Sequence, residues 1–128
     1  MLAMGDLDAN RPPVPNSFAS FWPYYMAAHQ SRKNRVCHYV GSTGVLLALV
    51  LGIFVHPLWF FAAPVFGYGC AWFGHLVFEK NRPATWVRPW WSLIGDWKMY
   101  GLWLAGRLQP ELERARGLPD IVELVRSG

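Results

Sequence analysis

The sequence predicts an all-α integral membrane protein, a helical bundle built on a transmembrane helical hairpin at about 36–56 and 58–79, with interfacial or re-entrant flanking helices. Three observations carry that prediction. From Val36 to Phe78 no Asp, Glu, Lys or Arg occurs. Charged residues are only 16% of the 128, against roughly a quarter in soluble domains, while hydrophobic residues reach 53% with 8 Trp. Basic residues gather at both ends of the charge-free run, as Arg32, Lys33 and Arg35 before it and Lys80, Arg82 and Arg88 after it. That is how cations flank membrane segments on the cytoplasmic side.

The length suits one domain with one modest core. The net charge of +4 and a pI near 9.4 do not come from one dense basic patch. Anionic headgroups are therefore better partners than nucleic acid, and no nucleic-acid binding is expected. Cys37 and Cys70 lie in apolar segments without Cys-x-x-Cys spacing, so no disulfide framework is indicated. Residues 1–17, with Asp6, Asp8, Arg11 and the "RPPVP" stretch, lack a signal-peptide pattern and read as a disordered tail.

Residues 18–108 read as a single membrane-embedded helical domain. Its first helix starts with Ser20 as N-cap and Pro23 in the first turn, and runs through "FWPYYMAAHQ". Phe18, Trp22, Tyr25 and His29 share one face, which predicts a helix lying in the membrane interface with His29 at its end. Asn34 is the expected N-cap of the next helix. The charge-free run of roughly 43 residues would extend about 64 Å as one helix, twice a 30 Å hydrocarbon core, so it divides into two crossings. The division falls at "HPLWFFAAP", between Pro57 and Pro64.

Small residues predict the inner faces of the hairpin. His38, Gly41, Gly44, Ala48 and Gly52 form one stripe, and Gly67, Ala71, Gly74, His75 and Glu79 the other. Such faces serve contacts either within one chain or between chains, as in a homo-oligomer. Counting along both arms puts His38 and His75 at equal depth near the basic end, whereas His56 falls at the far turn, roughly 25 Å away. Pro83 and Pro89 separate the hairpin from a further helix capped by Ser92. Leu93, Trp97, Tyr100, Leu104 and Leu108 give that helix an apolar stripe, and Asp96 and Lys98 make it re-entrant or interfacial. Residues 109–128 read as an amphipathic tail with one short helix after Pro119.

Ionisable groups at membrane depth are functional candidates. His75 and Glu79, four residues apart, share a helix face, and taken alone they equally suit a structural hydrogen-bonded pair. The convergence of His29 and His38 on the same end changes the balance, because three imidazoles with an optional carboxylate would bind iron or zinc. No nucleophile elbow, phosphate-cradling glycine loop or haem-attachment motif occurs, and four histidines are too few for a di-iron desaturase.

Three blocks in order, "FWPYYMAAHQSRKNRVCHYVG", "FGYGCAWFGHLVFEKNRPATW" and "PWWSLIGDWKMY", resemble the Mpo-like family. These are small multi-pass membrane proteins whose eukaryotic members act as iron(II)-dependent 2-hydroxy fatty acid dioxygenases. The resemblance covers roughly residues 18–108. It implies His29, His38 and His75 as ligands of one Fe(II), with zinc as the alternative ion, and Glu79 as a fourth ligand or a supporting group. Glu79 and Asp96 are the candidate catalytic carboxylates. Arg35, Arg82 and Lys33 are candidates for drawing in the substrate carboxylate, against their simpler reading as headgroup-facing cations. Trp72, Phe73 and Trp86 are candidate walls for the acyl chain.

The implied reaction is α-oxidation of a 2-hydroxy fatty acid by dioxygen to the one-carbon-shorter acid and carbon dioxide, which needs no external reductant. The expected location is the endoplasmic reticulum for a eukaryotic chain and the inner membrane for a bacterial one, with the hairpin ends cytoplasmic. Competing readings are a non-catalytic membrane adaptor with a structural His–Glu pair, and a zinc-dependent membrane lipid hydrolase.

Overall fold

A computed structural model describes residues 15–127. The expected tail falls largely outside this range, and the described part of it ends in a cap. Among the described residues the chain is helical without strands. The α-helices are α1 (Phe18–Ala27), α2 (Arg32–Phe54), α3 (Ala62–Gly74), α4 (Pro89–Leu104), α5 (Gln109–Arg116) and α6 (Pro119–Ser127).

Helix α1 begins three residues before its expected start. Ser17 is the N-cap, its hydroxyl accepting from Ser20 N–H at 3.2 Å while the Ser20 hydroxyl faces Ser17 N–H at 3.3 Å. This reciprocal box uses Ser20 as the third helical residue rather than as the cap. Pro23 therefore lies inside the helix, past the first turn. The second correction is to its place in the fold. Instead of lying along a surface, α1 is packed by α4, α5 and α6, and Phe21, Tyr25 and Met26 are fully buried. Bulky apolar residues satisfy an interface and a core equally well, so their spacing alone does not separate the two.

Helix α2 and the segment Pro57–Glu79 form the hairpin, each 23 residues long and apolar enough to cross a membrane. At about 1.5 Å per residue each spans roughly 34 Å. The arms turn at His56, whose Nδ1 accepts the Leu58 N–H at 3.1 Å, followed by a 3-10 segment Pro57–Phe61. The outer faces are apolar: Phe54 is 80% exposed and Val65 71%.

The expected small-residue stripes meet along the seam. Gly41, Ala48 and Gly52 of α2 are buried, as are Ala71 and Gly74 of the other arm. A Cβ on Gly41 would sit 3.1 Å from the Phe66 carbonyl oxygen, and one on Gly74 only 2.2 Å from Asn34 Oδ1. Gly41 therefore allows close backbone approach, and Gly74 leaves room for the Asn34 side chain. The N-cap of α2 is Ser31 rather than Asn34, which is buried just inside the first turn.

After Gly74 the helix widens to a π turn over His75–Glu79 and stops at Lys80, whose φ of 57° is left-handed. Helix α4 starts on Pro89 at its first position, with Arg88 rather than Ser92 as N-cap. Its buried face is Ser92, Gly95 and Met99. Much of the expected apolar stripe points outward instead, with Leu93 and Leu104 exposed. Gly95 lets α4 lie against the Tyr25 ring, where a Cβ would stand 3.1 Å away.

Helices α5 and α6 fold back onto α1. Trp22 Nε1 donates to Glu111 at 3.2 Å, and Gln30 Nε2 to the Leu112 carbonyl at 3.1 Å. Only the helix after Pro119 is expected from the sequence; α5 precedes it. The polar residues His29, Asn34, His38, Ser42, His75 and Ser92 are all buried. The bundle thus buries these polar groups beside an apolar core of residues such as Phe21, Met26 and Met99, and exposes apolar side chains along the hairpin's outer faces.

Candidate metal centre

His29 follows the end of α1, His38 sits in the second turn of α2, and His75 opens the π turn. Their Nε2 atoms meet: His29 to His38 at 3.1 Å and His29 to His75 at 3.0 Å. The rings stand at 77° to 87° to one another, with centroids 4.4 to 5.0 Å apart. All three imidazoles are buried.

The other ring nitrogens fix the tautomers. His29 Nδ1 donates to the Tyr25 carbonyl at 2.5 Å, and His38 Nδ1 to the Asn34 carbonyl at 2.9 Å. His75 Nδ1 faces Asn81 Oδ1 at 2.7 Å. The Asn81 amide nitrogen is committed to the Ala28 carbonyl at 3.1 Å, so its oxygen accepts from His75. Each Nδ1 therefore carries the proton, and each Nε2 presents a lone pair to the other two. The Nε2 contacts cannot be hydrogen bonds between neutral rings. Protonating His29 is disfavoured by burial first and then by His75 and His38, which hold its pKa well below the usual 6.5.

Three buried lone pairs on one point lack a proton to share, and a cation supplies what they lack. Two ring nitrogens on one ion with bonds of about 2.1 Å stand about 3.0 Å apart at a right angle and about 3.4 Å apart at the tetrahedral angle. The two edges from His29, 3.1 and 3.0 Å, lie at the right-angle end. The ligand atoms of His29, His38 and His75 lie within 4.8 Å of one another, a group that could hold one metal ion. Metal-ligating histidines characteristically donate their second N–H to an oxygen, as all three do here.

Of the remaining sequence candidates, Asp96 comes closest. Its Oδ1 lies 4.0 Å from His38 Nε2 and accepts the hydroxyl hydrogen bond of Tyr25, whose ring stacks on His29 at 3.9 Å. Burial pushes the Asp96 carboxyl up to about 7, with the Tyr25 hydrogen bond working against that rise. Glu79 is not brought to the imidazoles. Its Oε1 accepts from Ser31 N–H at 2.5 Å and faces Asn34 Nδ2 at 3.4 Å, so it caps the start of α2. There its charge meets the positive end of the helix dipole.

The three candidate cations also stand elsewhere. Arg35 donates to the carbonyls of His29 and Gln30 at 2.9 and 2.6 Å, tying down the end of α1. Lys33 lies 5.7 Å over the Phe78 ring. Arg82 lines a separate groove with Glu79, Lys80, Asn81 and Arg126. His56 remains at the turn, as the depth argument expects.

Sequence reading misses Asn81 and Tyr25 as supporting groups. Asn81 lies beyond the helix, where periodicity says nothing, and Tyr25 looks like one more apolar aromatic. The only signal is distance in sequence: Tyr25 precedes His29 by one helical turn.

A cavity of about 230 Å³ opens beside the cluster. Its polar end is His38, Asp96 and Ser42; Val45, Ala63, Pro64, Gly67, Tyr68, Ala71, Leu93 and Trp97 complete it. The expected walls are not among these residues. Trp72 instead packs on Trp86, and Phe73 on Phe78.

The family model "2-hydroxy-palmitic acid dioxygenase Mpo1-like" matches residues 15–108. The chain therefore belongs to the Mpo1-like family, and α5 and α6 lie beyond the matched segment. Searches of the curated proteins and of the solved structures return no match.

Proposed function

We propose that this member of the Mpo1-like family is an integral membrane enzyme that uses one Fe(II) and dioxygen to convert a 2-hydroxy fatty acid into the acid one carbon shorter and carbon dioxide. The observation that carries the metal part is the set of three Nε2 lone pairs aimed at one buried point, with every Nδ1 proton already committed. The family's name supports the substrate class and the dioxygenase reaction. Three imidazoles suit either iron or zinc, and the dioxygenase in the family's name is what favours iron.

His29, His38 and His75 are the proposed ligands. Iron(II) held by them would supply chelation of the α-hydroxy carboxylate and activation of dioxygen. The chain's own groups do the rest. Asp96 stands at the polar end of the cavity beside His38, where it would take the proton of the substrate hydroxyl, and the Tyr25 hydroxyl orients it. Asn81, Asn34 and the Tyr25 carbonyl hold the three rings in register. Glu79 and Arg35 hold α2 and the end of α1 in the positions that bring the rings together, roles we assign in place of ligand and carboxylate receptor. The reaction balances as R–CHOH–COOH + O2 → R–COOH + CO2 + H2O, with dioxygen as the sole oxidant.

Residues 18–108 form the proposed membrane unit. The exposed apolar faces of the hairpin support embedding. Arg32, Lys33, Arg35, Lys80, Arg82 and Arg88 at one end support a cytoplasmic mouth, in the endoplasmic reticulum or a bacterial inner membrane.

The test is metal analysis of the purified protein, followed by oxygen uptake and carbon dioxide release with 2-hydroxyhexadecanoic acid. About one iron per chain and equal uptake and release are expected. Absence of any bound metal would favour the adaptor reading, and turnover without oxygen the hydrolase reading; either overturns the proposal.

A further inference from the structure

The cavity beside His38 is elongated along the hairpin. Its residues on α2 are His38, Ser42 and Val45, and on the facing arm Ala71, Gly67 and Pro64 with Ala63. Both series repeat at three to four residues, so each lines one helix face for about two turns. Helix α4 supplies the third side through Leu93, Asp96 and Trp97. It packs on α1 and α2, and the cleft lies where it stands off α3. Tyr68 and Leu93 on the rim are 39% and 41% exposed, so the cleft opens sideways along the apolar flank of the bundle.

From this we infer that the cleft holds the first part of the substrate's straight alkyl chain, entered sideways, and that Gly67 and Ala63 mark graded positions along it. The inference rests on the proposed function and adds where the chain runs and what limits it. The imidazole of His38 and the carboxylate of Asp96 lie together at one end, 4.0 Å apart. An amphiphile with its oxygens at that end directs its tail along α3 toward the hairpin turn. That direction is away from the basic end, which matches the orientation of a fatty acid in a leaflet with its carboxylate at the headgroups.

The length follows from helix geometry. Ala71 to Gly67 is about 6 Å and Ala71 to Ala63 about 12 Å at 1.5 Å per residue. An extended alkyl chain advances about 1.25 Å per carbon at ordinary C–C lengths and angles. Gly67 therefore stands roughly five carbons from the Ala71 level and Ala63 roughly nine or ten. Beyond Ala63 the tail lies outside the cleft. Longer chains gain no further contact with the protein, so the cleft does not discriminate among them. Small residues are what keep it open; a Cβ on Gly67 would already come within 3.1 Å of Val45 Cγ2.

The experiment compares wild type, Gly67→Leu and Ala63→Phe, all iron-loaded, on straight 2-hydroxy acids of six, ten and sixteen carbons. Gly67→Leu should spare the six-carbon acid and lower kcat/KM about tenfold or more for the other two. Ala63→Phe should spare the six- and ten-carbon acids and lower the sixteen-carbon one by a similar factor. A second readout uses metal-free wild type: a 2-hydroxyhexadecanoic acid brominated near carbon 8 should quench Trp97 fluorescence, an effect that Trp97→Phe removes. Turnover of every chain length falling equally in iron-replete variants, or no quenching attributable to Trp97, overturns the cleft assignment. No turnover of any acid by wild type, with quenching intact, overturns the proposed function and leaves the cleft assignment standing.

Discussion

The arrangement of the three imidazoles carries a consequence for stability that separates a metal site from a structural cluster. Consider His38→Leu in metal-free protein. The substitution removes one of three buried nitrogen acceptors that have no donor, and an unsatisfied buried acceptor costs about 1–3 kcal/mol. It also removes the Nδ1–H bond to the Asn34 carbonyl, a net loss of about 1 kcal/mol. Leucine fills similar space in a site only 5% exposed. The balance is a change between about zero and a gain of 2 kcal/mol, or up to roughly 8 °C in Tm for a domain of this size. Wild type should instead gain about 2.7 kcal/mol from an ion present at one hundred times its Kd, and the variant should gain nothing. Thermal unfolding in detergent, with chelator and with Fe(II) under anaerobic conditions, reads both. A metal-free variant several degrees less stable than wild type would mean that the rings support one another by hydrogen bonds, and the lone-pair argument would be refuted.

Two further outcomes follow from the supporting residues. Asn81→Ala should weaken metal affinity about 10- to 100-fold in a chelator competition, while Asn81→Asp, which still accepts from His75 Nδ1, should retain most of it; equal losses would show that the tautomer does not depend on this contact. For Asp96 the folded pKa of about 7 lies above the ordinary 3.8, so the folded chain holds an extra proton across that interval and its stabilisation fades as the pH rises through 7. Metal-free Asp96→Asn, which keeps an acceptor for Tyr25, should therefore match wild type near pH 4 and be the more stable at pH 8, as followed by Tm; a pH-independent difference would contradict the buried carboxyl.

Much of this was legible in the residues because the constraints are long-range and simple. A stretch without charge from Val36 to Phe78 has few places to go, and glycines spaced along both halves mark where backbones must touch. His29, His38 and His75 could be brought together by counting turns. What counting cannot supply is the local widening at 75–79, which requires tertiary contacts to select a π turn over a continued α-helix. Without it, Glu79 reads as a partner of His75 rather than as the cap of α2. Likewise Arg35, read as a free cation, spends its hydrogen bonds on the carbonyls at the end of α1. Those carbonyls are exposed to it only because α1 stops at the loop carrying His29. The burial of α1 depends on α5 and α6, short segments whose composition is that of ordinary soluble helices.

The three histidines also differ in how they are held, and the difference explains why the chain is built around its second arm. His29 and His38 each donate to a carbonyl four residues back, so their orientation is set by the helical segment they stand on. His75 Nδ1 instead bonds no carbonyl of its own helix; its partner is the side chain of Asn81, six residues on. It is held from ahead. The π turn and the left-handed Lys80 bring Asn81 back, so that its N–H reaches the His75 carbonyl at 3.2 Å and its side chain reaches the ring. The same amide then donates to Ala28, one residue from His29. One side chain thus couples two of the three histidines on different segments. The position of α1 relative to the hairpin becomes a condition for the site, and Gln30, bonded to both Leu112 and Arg116, extends that condition to α5. The C-terminal helices therefore belong to the support of the histidine cluster although they lie outside the segment that identifies the family.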